Sequence, residues 1–351
     1  MTHRILTMLI LMLPLTALAD DWMARLADGT PVCRVLIPGA HDAATGDGFT
    51  PDDTPLASVT AQTQDKSIAR QWQTGVRAFD LRPAVLTAAD GTESLHIFHG
   101  EFATTRSFGS VLRQIADSLA AHPTEFAIIT MRHESSASRH EARWAQLMRE
   151  QLDSIGPLLA PFRPGITVGE LRGRMLIISR DAYAPLPRGA YAGGWSHSKR
   201  TARQTKAWLK GCTPQDSARL MVQDFYDTSH PGGLRSKRRA IKALFAKKKN
   251  ADAAPGAAPL WMINHASGYS LTLRTAHDEP VSLSCGYRDN AAHTNPFVTA
   301  LLRSGKATGG IVLIDFAGTD RSEDYDVTGL TLVKEIIRTS LEESRKGIEG
   351  S

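Results

Sequence analysis

Short apolar runs alternate with amphipathic stretches along most of the chain. Runs at 32–38, 76–82, 95–99, 126–132, 175–180, 220–225, 260–265 and 311–316 are rich in Val, Ile, Leu, Met and Phe. Brief, nearly continuous apolar segments of this kind suit strands buried on both faces of a parallel sheet. Between them, segments 108–121, 140–152, 236–246, 297–304 and 330–341 repeat their apolar residues at helical spacing. Eight strands with intervening helices predict a single-domain α/β fold, a (β/α)8 barrel. Uneven spacing and weakly helical crossovers predict a distorted barrel. The loop at 251–259, ADAAPGAAP, interrupts the pattern without ending a domain, because the last two strands are still needed for closure.

Polar residues collect at one end of these strands. The first runs into His41-Asp42, the second ends Asp80-Leu81-Arg82, and the third ends His99-Gly100. The fourth ends Arg132-His133-Glu134 and the fifth Arg180-Asp181; the sixth carries Asp224 and Tyr226, the seventh ends Asn264-His265, and the eighth ends in Asp315. Each alone has a structural explanation: a strand-end ion pair for Asp80 and Arg82, a core histidine for His99, a loop cap for Asp315. Scattered charges would not choose the same end of eight strands, and the C-terminal strand ends of a barrel converge on the face where active sites lie.

The N-terminus adds a compartment. Arg4, an apolar stretch over residues 5–15 and Ala17-Leu18-Ala19 read as a signal peptide over residues 1–19, with the barrel over residues 20–351. The mature protein is then exported, to the periplasm or the medium. Of three cysteines, Cys33 reads as a small core residue, and Cys212 with Cys285 is a candidate bridge. The net charge of +5 is uneven: positions 235–249 hold eight Lys or Arg and no acid. Ile241, Leu244 and Phe245 share one helical face there, so the segment reads either as a contact for an anionic membrane surface or as a solvated outer helix. No nucleic-acid recognition module accompanies it.

The residue types at the strand ends suggest a reaction. Two histidines suit a general base and a general acid near neutral pH, each better with a carboxylate to fix its tautomer; Asp42 and Asp315 are available. Arg82 is a permanent cation with bidentate geometry, suited to a phosphate oxygen. Two His–Asp pairs and an arginine describe phosphodiester cleavage without a metal or other cofactor.

These motifs, LIPGAHD (36–42), GVRAFDLR (75–82), FHG (98–100), LRGRMLIISR (171–180), VQDFY (222–226), INHASG (263–268) and VLIDF (312–316), resemble the bacterial phosphatidylinositol-specific phospholipase C family, the PLC X-domain, over nearly the whole mature chain. The resemblance implies a distorted TIM barrel acting on a phosphoinositide or a glycosylated relative at a membrane surface. It implies His41 as general base with Asp315 as its partner, His99 as general acid supported by Asp42, and Arg82 as the phosphate-binding arginine with Asp80 beside it. It also implies Arg132, Arg180, Asp224 and Tyr226 around the inositol ring. The inositol 2-hydroxyl would attack phosphorus, giving diacylglycerol and inositol 1,2-cyclic phosphate, so no catalytic Ser or Cys is needed. Calcium-dependent animal members hold a metal where Arg82 stands, which implies metal independence here. The sequence departs from the family at Ala40, Ala43 and Ala44, where hydroxyl residues are common, at Phe98, where a second histidine is frequent, and at Arg132, usually lysine.

Two rival readings compete. One is a metal-dependent phosphodiesterase of the glycerophosphodiester or sphingomyelinase D type; the other is a non-catalytic lipid- or glycan-binding barrel.

Overall fold

The computed structural model describes residues 21–134, 141–182, 189–196, 205–254, 256–270, 272–274, 282–284 and 286–349. The signal-peptide segment and Cys285, hence the candidate bridge to Cys212, lie outside the described residues. The strands are β1 (Leu36–Ala40), β2 (Ala78–Leu81), β3 (Pro83–Thr87), β4 (Glu93–His99), β5 (Phe102–Ser107), β6 (Ala127–Met131), β7 (Met175–Ser179), β8 (Ala190–Gly193), β9 (Thr205–Lys210), β10 (Ser217–Gln223), β11 (Leu260–His265), β12 (Thr272–Arg274), β13 (Ser282–Ser284) and β14 (Gly310–Ile314).

Nine of them close a barrel in the order β1-β14-β11-β10-β9-β8-β7-β6-β2. Pairing is parallel except around β9, which runs antiparallel to both β8 and β10. Every residue of β1, β6, β7, β11 and β14 is buried, which explains their unbroken apolar runs. Gly39 marks the tightest seam. A β-carbon there would meet Leu313 at 2.7 Å and Ala78 at 3.0 Å, so only glycine lets β1 approach its neighbours this closely.

Two features depart from the sequence reading. The run at 95–99 is a strand, but not of the barrel: β4 pairs antiparallel with β3 and β5 in a separate sheet. Pro83 begins β3 directly after Arg82, so the chain leaves the barrel at the point where β2 ends. A run of five residues carries no record of which sheet it joins. Conversely, β8 and β9 close the wall although neither is a continuous apolar run. In β9 buried Ala207 and Leu209 alternate with exposed Trp208 and Lys210, the period of a half-solvated antiparallel strand.

The far end of the barrel is sealed by the N-terminal segment. Trp22 and Met23 are fully buried; Trp22 Nε1 donates to Gly75 O at 3.1 Å and the Met23 amide to Glu125 Oε1 at 2.9 Å. Glu125 also pairs with Arg77 at 2.8 Å, and both are fully buried. Arg77 further donates to the carbonyls of Trp72 and Val76, and its guanidinium lies 3.9 Å over the Trp72 ring.

The basic segment forms the helix Gly233–Asp252 on the outer wall. Its residues do not present one charged face. Lys237 and Lys248 are fully buried, Lys237 donating to Phe225 O and Lys248 pairing with Asp252. Lys249 reaches Gly305 O, just ahead of β14, so the lysine-rich end lies at the face opposite the mouth. Arg235, Arg239 and Lys242 point to solvent.

A buried charge left without its partner is costly. Glu125→Ala is therefore expected to lower unfolding free energy by about 3–5 kcal/mol, measured by urea denaturation, while leaving the chemistry at the opposite face of the folded molecule unchanged.

Candidate active site

The two outermost catalytic candidates are set by adjacent strands. β1 ends at Ala40 and delivers His41 and Asp42; β14, its parallel neighbour, ends at Ile314 and delivers Asp315. The backbone turns sharply at both ends. Asp42 has φ 43° and Phe316 φ 56°, left-handed conformations that cost of order 1–3 kcal/mol for residues with a β-carbon. A buried glutamine clamps the two turns together. Gln64 Nε2 donates to the carbonyls of His41 and Ile314, each at 2.8 Å, and its Oε1 accepts from the Ala317 amide at 2.9 Å.

His41 Nδ1 lies 2.8 Å from Asp315 Oδ1, whose other oxygen accepts from the Gly268 amide at 2.9 Å. Asp42 Oδ2 lies 3.3 Å from His41 Nε2 and 3.3 Å from His99 Nε2. Its Oδ1 lies 2.7 Å from Arg82 Nε. Arg82 Nη2 is 2.9 Å from His41 Nε2 and 3.2 Å from Asp80 Oδ2. Thr130 Oγ1 donates to Asp80 Oδ1 at 3.2 Å. The imidazoles of His41 and His99 stand edge-on, ring centres 6.3 Å apart. The structure thus brings His41, Asp42, Asp80, Arg82, His99 and Asp315 into one cluster. His99 arrives from the β4–β5 layer folded over the mouth, and not from a barrel strand. Its Nδ1 is anchored 2.6 Å from Ala61 O, and Tyr287 Oη is 3.3 Å from its Nε2.

The environments push the histidines apart. At His41 burial opposes charge, but Asp42 and Asp315 outweigh it and raise the pKa above 6.5. At His99 burial dominates; Asp42 opposes it, while Arg82 and His41 add to it, and the pKa falls. At Asp80 burial works against the carboxylate, yet Arg82, His41, His265 and Arg180 together draw the pKa down to about 2. The contact from Arg82 belongs to neutral His41, with Nδ1–H donated to Asp315 and the Nε2 lone pair facing the mouth. On protonation, Nε2–H can turn to Asp42.

The remaining predicted residues line the same mouth. Arg180 Nη1 is 3.6 Å from Asp224 Oδ2, and its guanidinium lies 4.6 Å over the Trp195 ring. Trp195 Nε1 donates to Asp224 Oδ2 at 2.9 Å. Burial opposes the charge on Asp224, but His265 and Arg180 hold its pKa below the usual carboxylate range. Arg132 Nη2 donates to both oxygens of Glu134, at 2.8 and 3.0 Å, and Glu134 lies 3.9 Å from Arg82. Between Arg132 and Glu134, His133 turns outward and stacks on Trp144 at 4.7 Å. Tyr226 is half-buried beyond Asp224.

A family model for "Phosphatidylinositol-specific phospholipase C, X domain" matches residues 50–181, the stretch that carries Asp80, Arg82, His99, Arg132 and Arg180. Over that stretch the chain is similar to the phosphatidylinositol-specific phospholipase C family. A 1-phosphatidylinositol phosphodiesterase of Staphylococcus aureus is 28% identical over 307 residues, covering 85% of this chain and 88% of the relative. One from Listeria monocytogenes is 31% identical over 165 residues, covering 46% and 49%. Solved structures of phosphatidylinositol-specific phospholipase C from the same two organisms share the fold. The S. aureus structure aligns with TM-score 0.70 at 23% identity, over 92% of this chain and 98% of its own; the Listeria structure has TM-score 0.64 at 23% identity, over 92% and 98%.

Several residues of this mouth were not singled out from sequence. Gln64 lies in a loop, Ala61 in the turn after a short helix and Tyr287 in a helix, with no motif around them. Glu134 and His265 stood at strand ends but carried no assigned role, and Trp195 follows a strand that the apolar pattern did not reveal.

The pairing at His41 makes a direct prediction. Its ring, followed by NMR through a pH titration, should titrate above 6.5. Asp315→Asn removes a charge that favours the imidazolium, so the midpoint should move to lower pH.

Proposed function

We propose that this chain is a metal-independent phosphatidylinositol-specific phospholipase C, cleaving phosphatidylinositol or a glycosylated relative. The observation that carries the reading is one carboxylate, Asp42, touching both imidazoles and the Arg82 guanidinium. The match to the X-domain family model and the likeness to the phosphodiesterases of S. aureus and Listeria support the substrate class.

In this reading the substrate phosphate displaces Arg82 from His41 and takes the guanidinium for itself. His41 Nε2, freed, accepts the proton of the inositol 2-hydroxyl while Asp315 holds Nδ1–H. The hydroxyl oxygen attacks phosphorus, the bond from phosphorus to the glycerol oxygen breaks, and His99 Nε2–H protonates the departing oxygen. The products are inositol 1,2-cyclic phosphate and diacylglycerol. The arriving phosphate anion raises the proton affinity of His99, whose pKa is low in the free enzyme, and so loads the acid when substrate binds. Arg132, Arg180 and Asp224 supply hydrogen bonds to ring hydroxyls, and Tyr226 covers an apolar face of the ring.

A metal-dependent phosphodiesterase would need a cation site. His41, Asp42 and Asp80 have ligand atoms within 4.8 Å of one another. Those same groups already contact Arg82, at 2.9, 2.7 and 3.2 Å, which supports a fixed guanidinium in the cation's role. The barrel from residue 20 onward serves as one catalytic domain in this proposal. Export is supported by the leader-like first 19 residues. No helix among the described residues is long and apolar enough to cross a membrane. Work at a phospholipid surface is supported by the outward charges of Arg235, Arg239 and Lys242, each worth about 1 kcal/mol near an anionic bilayer.

The deciding experiment is phosphorus NMR of a phosphatidylinositol digest run with EDTA. A cyclic phosphate signal at an undiminished rate is expected; activity lost to EDTA and restored by a divalent cation would support the metal-dependent rival instead. His41→Ala and His99→Ala should each lower kcat by about 10²–10⁴-fold, and equal slow release by wild type and His41→Ala would favour the binding-protein reading. For pH dependence, the base must be neutral and its pKa is raised, so activity should fall on acidification from above pH 6.5. In Asp315→Asn that acidic limb should shift to lower pH, with kcat reduced. The basic limb, set by His99, should lie at higher pH in kcat than in kcat/KM, because only kcat reports the substrate-bound enzyme.

A further inference from the structure

His265 ends β11, and its ring lies inside the mouth with only 3% of its surface exposed. It stands edge-on to His41, ring centres 5.6 Å apart, and edge-on to Trp195 at 6.0 Å. Nδ1 lies 3.1 Å from Ser267 Oγ. Nε2 is buried and has no hydrogen-bond partner among the described residues. It faces Asp224 Oδ1 at 4.0 Å. A buried polar atom left unpaired is costly, so its persistence calls for a physical reason.

Asp224 narrows that reason. Its Oδ2 accepts from Trp195 and lies near Arg180, while Oδ1 is turned toward His265. A carboxylate only accepts, which favours the tautomer with Nε2–H toward Asp224 and the Ser267 hydroxyl donating to Nδ1. The 4.0 Å separation is too long for a direct hydrogen bond. It fits one oxygen about 2.8 Å from each atom. That oxygen must accept from Nε2–H and donate to Oδ1. A hydroxyl does both; a phosphodiester or ether oxygen cannot donate.

We propose that His265 and Asp224 clamp one hydroxyl of the polyol ring, next to the hydroxyl that His41 deprotonates, making His265 a specificity-determining residue. The inference rests on the reading of the chain as a phosphatidylinositol-specific phospholipase C. Neutrality of the ring supports it: burial drives the pKa of His265 down to about 4 against the pull of Asp224. A neutral donor binds a hydroxyl without placing another cation beside His41. The competing explanations are a packing histidine held only by Ser267 and a clamp filled by a structural water.

The test measures kcat/KM on a soluble phosphodiester of myo-inositol and on analogues each lacking one ring hydroxyl other than the nucleophile. His265→Phe should lower kcat/KM on the full substrate about tenfold, the size of one lost hydrogen bond. His265→Gln, whose amide can place a donor near Nε2, should recover most of it. One deoxy analogue should be cut about tenfold more slowly by wild type, and His265→Phe should slow that analogue no further. His265→Asn, too short to reach the gap, carries the same expectation as Phe and keeps the test intact if the Phe variant fails to fold. Unchanged kcat/KM in both variants, or an equal loss on every analogue, overturns the clamp while the phospholipase reading stands. If wild type cleaves neither phosphatidylinositol nor the soluble phosphodiester, the functional reading falls and the clamp with it.

Discussion

Everything at the mouth depends on where Asp42 is held. Its carboxylate is buried, yet it touches three cationic or protonatable groups, His41, His99 and Arg82. Desolvating a carboxylate is expensive; the permanent charge of Arg82 returns about 4 kcal/mol at about 4 Å and an effective dielectric of about 20, and each imidazole adds a like contact when protonated. Several such contacts are needed to offset the burial, and they can exist together only at one position. The left-handed backbone at Asp42 turns the chain out of β1 there, and Gln64 ties that turn to the matching one after β14. Strain, burial and charge therefore hold each other in place.

The barrel alone would not complete this arrangement. Its parallel strands bring His41, Arg82 and Asp315 to one rim, but the second imidazole comes from outside the wall. Pro83 sends the chain out of the barrel after Arg82, and the β3–β4–β5 sheet returns with His99 at the end of β4. Sequence distance between Arg82 and His99 is short, so the loop entropy of bringing them together is modest. The antiparallel β9 is the complementary irregularity. It lets short β8 and half-exposed β10 close the wall between the residues that carry Arg180 and Asp224.

Charge sign alternates across the mouth. Asp315, His41, Arg82 and Asp42 form one linked group; Asp80 and Thr130 support it from below; Arg180, Asp224 and Trp195 form a second beside it. Asp80 is drawn to low pKa by neighbours of both groups, so the two groups are electrostatically coupled. His265 sits at their junction, 5.6 Å from the His41 ring and 4.0 Å from Asp224. Burial lowers the His265 pKa to about 4, so no further cation stands beside His41 at neutral pH.

Much of this was legible in the chain itself. Fully buried parallel strands must be apolar throughout, so six of the nine barrel strands announced themselves in this way, and a polar pair such as His41-Asp42 at the end of one is costly enough to signal a purpose. Residue types at the strand ends carried their own chemistry: imidazoles that titrate near neutrality, a guanidinium that does not, carboxylates to orient them. What the sequence could not decide was anything set by contacts distant along the chain. That β4 leaves the barrel, that His133 turns outward while Arg132 and Glu134 turn in, that Gln64 clamps two strand ends, and that His265 Nε2 faces Asp224 across an oxygen-sized gap all depend on packing. A side chain's identity fixes which bonds it can make; only the folded neighbourhood, by removing water and placing partners, decides which of them it does make.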